Sequence, residues 1–289
     1  MQTAYQNLPA PAKLNLFLHV VGRRADGYHL LESIFILIDL ADSLDIELLE
    51  SGEIRRTGDI VGDPEKDLCV RAAHLLQEHA DCRLGARIHL RKRIPSGAGL
   101  GGGSSDAATT LIALNRLWNL GLCRQELIGL GAKLGADVPF FIFGESAFAQ
   151  GIGEDLQAFE IPPSSWAIVM PDTPTGTAGI FADPNLTRDT KSLKIINLSE
   201  LIRSNWPHLP GHNDLQPVVE RRSADVRRAL SFLGKEARMT GSGSAVFVHA
   251  PDKTRAAAML KDLYQGATGY AADTVPVHPL HAWVSDHAC

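Results

Sequence analysis

Pro95-Ser96-Gly97-Ala98-Gly99-Leu100-Gly101-Gly102-Gly103-Ser104-Ser105-Asp106 stands between an alternating segment, Ala86 to Ile94, and a run of helix formers, Asp106 to Leu120. Its glycines let the backbone approach a ligand without Cβ obstruction, and the helix start supplies free N–H groups at the positive end of a dipole. That arrangement suits phosphate. Ser104 and Ser105 add hydroxyl donors, and Asp106 reads as the residue that caps the helix. A tight turn would use glycines in the same way, but a flexible linker rarely separates an amphipathic strand from a well-formed helix.

Two known phosphate-binding patterns come close. Gly97-x-Gly99-x-x-Gly102 has the spacing of the dinucleotide fingerprint, which needs a parallel βαβ setting and an acidic residue about 20 positions on. Leu122 stands there instead, and the preceding segments read as antiparallel neighbours. In the P-loop pattern a lysine would occupy the place of Gly103. The run therefore reads as a phosphate loop without its own lysine.

Upstream, Ala12 to Val20 alternates Leu14, Leu16, Leu18 and Val20 against Lys13, Asn15, Phe17 and His19, the pattern of a half-buried strand. Gly22 to Gly27 reads as a turn, followed by an apolar stretch, Leu30 to Leu40, and a separate short strand, Ser43 to Leu49. A lysine such as Lys13 is usually a solvated sheet residue. Here Arg23-Arg24-Ala25-Asp26-Gly27-Tyr28-His29 follows closely, with cations for phosphate, an aromatic face for stacking a base and an imidazole for hydrogen bonding. An exposed turn would also carry Tyr28 and His29.

Downstream, helices are expected over Asp67 to Ala80 and Gln125 to Leu134, the latter stopping at Gly135. Asp137 follows, a carboxylate in an apolar stretch that either caps the next turn or meets a cation such as Lys13. A paired lysine and aspartate beside a phosphate loop could activate an alcohol. Further on, strands are expected at Trp166 to Met170 and Ala245 to His249, and helices near Ser223 to Leu233 and Lys253 to Tyr264. Thr240-Gly241-Ser242-Gly243-Ser244 is a second small-residue loop, which an ordinary hairpin would also explain; two such loops favour a shared phosphate cleft.

The chain has 289 residues, enough for two domains, and proline frequency rises past about Gly153. We place the first domain at 1–153 and the second at 154–289, the last strand being free to return to the first. With 45% hydrophobic residues, 21% charged residues and a net charge of -5, the composition is globular and does not favour nucleic-acid or anionic-membrane binding. Cys69, Cys82, Cys123 and Cys289 form no C-x-x-C pair and read as reduced thiols. Neither a leader peptide nor a membrane span is indicated, so a cytoplasmic protein is expected.

Taken together, these segments resemble the superfamily of galactokinase, homoserine kinase, mevalonate kinase and phosphomevalonate kinase. Pro11-Ala12-Lys13-Leu14-Asn15-Leu16-Phe17-Leu18, with Arg24 to His29, is similar to one branch, the 4-diphosphocytidyl-2-C-methyl-D-erythritol kinases of non-mevalonate isoprenoid biosynthesis. Gly135 to Pro139, Asn213-Asp214-Leu215 and Thr240 to Gly243 extend the resemblance over nearly the whole length.

The resemblance implies an α+β fold of two domains, an ATP-binding N-terminal domain like ribosomal protein S5 and a C-terminal ferredoxin-like α/β sandwich. It also implies ATP and Mg2+ as cofactors, a cytidine-diphosphate methylerythritol substrate, a monomer or homodimer, and no nucleic-acid or membrane partner. Asp137 matches the general base and Lys13 the residue that holds it and the developing charge. Pro95 to Ser105 match the β- and γ-phosphate loop. Tyr28 and Phe181 match positions that sandwich the cytosine ring, and Asn15 and His29 match positions that contact it or the substrate's polar groups. Asp67 stands where the family more often has asparagine, and the metal ligands are left unassigned, with Ser105 and Asp137 as the candidates. Mevalonate- or homoserine-type kinases, a non-catalytic nucleotide binder and a nicotinamide oxidoreductase are the rival readings.

Overall fold

The computed structural model describes residues 2–60, 63, 66–173 and 175–286. Its frame is a long antiparallel hairpin of β1 (Ala4–Arg23) and β2 (His29–Leu49), closed by a turn in which Arg24 N donates to Tyr28 O at 2.7 Å. Register shifts interrupt the pairing at Pro11/Ala12 and between Asn15 and Leu18. The expected half-buried strand is buried on both faces: Lys13 is 4% exposed, Asn15 2%, Phe17 1% and His19 4%. One face of the hairpin carries Ala10, Phe35 and Leu37 toward a helical layer, while the other carries Leu14, Leu16, Ile36 and Ile38 toward Trp166 and Phe247. Covering both faces brings the polar residues of the strand inside.

The two strands expected at Leu30 to Leu40 and Ser43 to Leu49 are one, β2. Asp42, between the two expected segments, is 1% exposed and accepts hydrogen bonds from Arg93 N and from Ile94 N at 2.8 Å. Next come β3 (Ile54–Gly58), α1 (Leu68–Ala80) and β4 (Gly85–Arg91). The antiparallel neighbours expected before the glycine run are found in β1 with β2 and in β2 with β4, whereas β3, not expected from the sequence, pairs in parallel with β4, with α1 as their crossover. No parallel partner follows the glycine run, because α2 (Gly102–Leu117) leads through α3 (Arg124–Leu134) and α4 (Val138–Phe143) to β5 (Ala147–Gln150), which pairs antiparallel with β2.

Asp67 caps α1, accepting from Cys69 N at 2.9 Å and Val70 N at 3.2 Å. Asp106 does not cap α2. That helix begins a turn earlier, after Gly101 at φ 73, and Asp106 lies inside it, 3% exposed. Glycine flexibility at 101 sets the start, and no side chain competes for the first N–H groups.

The remainder comprises β6 (Asp155–Ala158), β7 (Ser165–Pro171), α5 (Thr177–Phe181), α6 (Ile195–Asn205), α7 (Gln216–Arg222), α8 (Ala224–Leu233), β8 (Arg238–Met239), β9 (Val246–Ala250), α9 (Lys253–Met259) and β10 (Ala267–Val275). The helix expected to reach Tyr264 ends at Met259, where Leu260 N turns to Ala257 O in a tighter i−3 bond. The sheet runs β3-β4-β2-β10-β7-β9-β8, with β1 and β5 also paired to β2 and β6 to β5. Strand β10 thus joins the two halves, pairing along its length with β7 and at Thr274 and Val275 with β2. Trp166, fully buried on β7 against Phe247 and Trp206, anchors the second half, where such burial is worth about 1.5–3 kcal/mol per large side chain.

No helix among the described residues is long and apolar enough to cross a membrane. Cys69 and Cys82 are free thiols, whereas Cys123 is disulfide-bonded, contrary to the reading of all four as reduced. Cys289 lies outside the described residues.

Candidate active site

A cavity of about 690 Å³ opens between the hairpin, the glycine run and α5. Lys13, Asn15, Tyr28, His29, Gly99, Ser104, Asp137 and Phe181 all line it, residues that the sequence places up to 168 positions apart.

Lys13 sits at its floor. Its ammonium lies 3.8 Å from Asp137 Oδ2, donates to Asn15 Oδ1, and stands 5.1 Å from the centre of the Phe35 ring. Burial pushes its pKa below the ordinary lysine value, with Asp137 acting in the opposite sense. Asn15 is itself held by both ends, its amide donating to Ser33 Oγ at 2.9 Å and its backbone N–H to Thr240 Oγ1 at 2.9 Å. Asp137 starts α4 after the stop at Gly135 and makes no capping bond with its side chain, which is 36% exposed toward the cavity. A cation fixed by a polar network thus faces a partly solvated carboxylate.

The two small-residue loops close on each other. Ala245 N donates to Ala98 O at 3.1 Å, and a Cβ at Gly99 (φ +77) would fall 2.4 Å from Thr240 O. Gly101 is wedged likewise, between Phe141 and the stem of Lys13. Asn213 braces the second loop, its amide donating to Met239 O and Gly241 O, each at 2.8 Å.

Within Pro95 to Ser105 the positions differ. Ala98 and Leu100 are buried anchors, while Ser96, Gly97 and Gly103 are exposed, with Pro95, Gly102 and Ser104 part-buried. The N–H groups of Gly102, Gly103 and Ser104 precede the first bond of α2, Ser105 N to Gly101 O at 2.9 Å, and have no side-chain cap. They are free to bind phosphate oxygens. Ser104 faces the cavity; Ser105 is fully buried and its Oγ has no partner among the described residues. Although the run contains no lysine, Lys92 brings one to its edge. Lys92 Nζ lies 3.3 Å from where a Cβ of Gly102 would stand, bonded to Asp42 and, at 2.7 Å, to Asp106 Oδ2. Burial pushes the Asp106 carboxyl up to about 7, against the pull of Lys92. The basic triplet Arg91-Lys92-Arg93 was the only sequence signal for it.

At the far end of the cavity Tyr28 is 60% exposed, and the His29 and Phe181 rings lie 5.1 Å apart, tilted by 34°. Arg188, missed in the sequence, reaches this end and donates to His29 Nε2 at 3.1 Å. Asp67, which does not line this cavity, spends both oxygens internally, on the α1 cap and on Arg56 Nε at 3.0 Å.

The chain matches the descriptions GHMP kinases N terminal domain over residues 67–145 and GHMP kinases C terminal over 189–267. It is 50% identical to the 4-diphosphocytidyl-2-C-methyl-D-erythritol kinase of Burkholderia mallei (strain SAVP1) over 281 residues, 96% of each chain. The chain belongs to this kinase family. The enzyme of that name from Bordetella parapertussis is 55% identical over 249 residues, 85% of this chain and 82% of its own.

A crystal structure of 4-(cytidine 5'-diphospho)-2C-methyl-D-erythritol kinase superposes with a TM-score of 0.80 at 33% identity, covering 94% of this chain and 98% of that one. Mevalonate kinase from Methanococcus jannaschii, at 15% identity and a TM-score of 0.68 over 95% of this chain and 99% of its own, shares the fold. The two-domain α+β architecture of the GHMP kinases is therefore the architecture of this chain.

Proposed function

We propose that this member of the family transfers the γ-phosphoryl group of ATP to the 2-hydroxyl of 4-diphosphocytidyl-2-C-methyl-D-erythritol, giving the 2-phosphate and ADP. One observation carries the reading at the level of chemistry: Lys13 and Asp137, 3.8 Å apart, share one cavity with the phosphate loop and with the His29–Phe181 pair. Phosphoryl transfer asks a protein chiefly for positioning and for charge stabilisation, and these parts supply both.

The uncapped N–H groups at the start of α2 would hold the β- and γ-phosphates, with Ser104 beside them. Asp137, open to the cavity, would take the proton of the attacking hydroxyl as its oxygen bonds to phosphorus. Lys13 would hold that carboxylate in place and offset charge on the transferring group. Tyr28 and Phe181 would flank the cytosine ring, with His29 and Asn15 meeting polar atoms of the substrate.

Magnesium would arrive with the nucleotide. No cluster of three or more His, Cys, Asp or Glu suited to a metal occurs among the described residues, and Ser104 and Asp137 are among the oxygen donors that line the cavity. Such a sparse set fits Mg2+, which keeps waters and phosphate oxygens as ligands and supplies charge neutralisation at the phosphates.

The test is ADP release with MgATP and each of three acceptors: the cytidine-diphosphate methylerythritol, mevalonate and homoserine. Turnover of the first alone supports the reading, and absence of turnover with intact ATP binding defeats it. In Asp137→Asn, kcat should fall by about 100-fold to 10,000-fold with ATP affinity nearly unchanged. A protein that only binds nucleotide would be indifferent to that substitution.

A further inference from the structure

We infer that Arg188 is a positioning residue that fixes which ring nitrogen of His29 carries the proton, and thereby turns an N–H donor toward the ring-binding end of the cavity. The inference rests on the reading of that end as the place of the substrate's base. A guanidinium has only donors, so the 3.1 Å contact from Arg188 Nε to His29 Nε2 requires Nε2 to accept. In a neutral imidazole the proton then resides on Nδ1, which has no hydrogen-bond partner among the described residues of the cavity-lining His29.

Arg188 is itself immobilised. Its terminal nitrogens donate to Leu186 O at 3.0 Å, Phe181 O at 3.0 Å and Asp183 O at 2.8 Å. One side chain therefore fixes the backbone under the Phe181 ring and the tautomer of the imidazole that ring faces. The charged groups that act on His29 are Arg188 and Arg23; with burial as the larger cause, they hold its pKa below the ordinary value, which keeps the ring neutral.

A fixed N–H donor discriminates between pyrimidines. Cytosine offers acceptors at N3 and O2, whereas N3 of uracil carries a hydrogen and would oppose the donor. The opposite tautomer would present a lone pair to the base and invert that preference. Loss of Arg188 should therefore weaken selection for the cytosine form without changing the phosphoryl-transfer machinery, from which it is separate.

The experiment uses full-length protein labelled with 15N-histidine, the His29 resonances being assigned by their loss in His29→Gln. In the wild-type protein the long-range 1H–15N pattern should show Nδ1 protonated and Nε2 bare. In Arg188→Met the Nε2-protonated form should predominate and the imidazole titration should move upward. KM for the cytidine substrate should rise about tenfold, the loss of roughly one hydrogen bond, with kcat within about twofold. The preference over the uridine counterpart should narrow by a similar factor. Arg188→Lys, which keeps the charge and loses the Nε donor, should behave like Arg188→Met in the tautomer measurement.

An Nε2-protonated His29 in the wild-type protein overturns the inference, as does an unchanged tautomer in both variants. Because the wild-type spectrum needs neither Arg188 variant to fold, misfolding of either substitution does not shelter the claim. Failure of the wild-type protein to phosphorylate the cytidine substrate would instead defeat the proposed function, whatever the spectrum shows.

Discussion

The backbone N–H of Asn15 donates to the hydroxyl of Thr240, 2.9 Å away across 225 positions of sequence. Thr240 is fully buried, and its loop packs on Gly99, so this bond ties the strand that bears Lys13 to both glycine loops at once. Thr240→Val keeps the shape and strands a buried donor. Its cost should be about 1–3 kcal/mol in urea unfolding, with a fall in kcat larger than the change in ATP affinity. Thr240→Ser should recover most of both.

Lys92 serves two carboxylates, and one of them is dispensable at neutral pH. The Asp106 pKa, raised to about 7 from 3.8, means that the folded protein holds more protons than the unfolded chain between those values. This group's contribution to stability therefore falls as pH rises through that window and is lowest above it. Asp106→Asn should match or exceed the wild-type urea midpoint near pH 8 and lose its advantage near pH 4. Lys92→Met leaves two buried carboxylates without their cation and should cost about 3–5 kcal/mol at the higher pH.

Gly99 and Gly121 both have positive φ, +77 and +71, but only the first is crowded. Alanine at 121 meets nothing within 4 Å and should cost about 1 kcal/mol, the backbone preference alone. At 99 the added carbon would stand 2.4 Å from Thr240 O, so the loops must separate. Gly99→Ala should lose more stability than Gly121→Ala and, unlike it, lower kcat; denaturant titrations and ADP assays on the pair check this.

The buried imidazole of His278 is held down to about 3 by burial first, with the nearby His281 and Arg124 adding to it. An unfolded chain takes up the proton near 6.5, the folded protein only near 3, so stability should decline as pH falls between those values. His278→Gln should flatten the urea midpoint over that range, removing up to about 1.4 kcal/mol per pH unit of slope.

Much of this was legible in the chain. The segments around Lys13, Tyr28, Gly97 to Gly103 and Asp137 carry their chemistry in local residue types, and α1 and α3 follow from caps and glycine stops. What was not legible depends on distant partners. Asp106 looks like a cap because nothing nearby in sequence reveals Asp42 and Lys92 around it. Burial of Asn15 and His19 depends on covering layers that alternation cannot report. Arg188 looks like any loop cation until His29 is brought beside it from 159 positions away. Strand β10, with Gly269 and Asp273 inside it, lacks a strand's usual composition and is specified by β7, its partner.

That last strand has a bearing on biosynthesis. As the chain leaves the ribosome, β7 exists long before Ala267–Val275 is made, and one of its edges must wait unpaired. From Trp166 to Pro171 its residues are apolar and covered in the finished sheet, the profile of a segment that joins wrong partners when left open. The nascent protein is thus exposed to misassociation until β10 is made, and chaperone dependence should track the interval between β7 and β10.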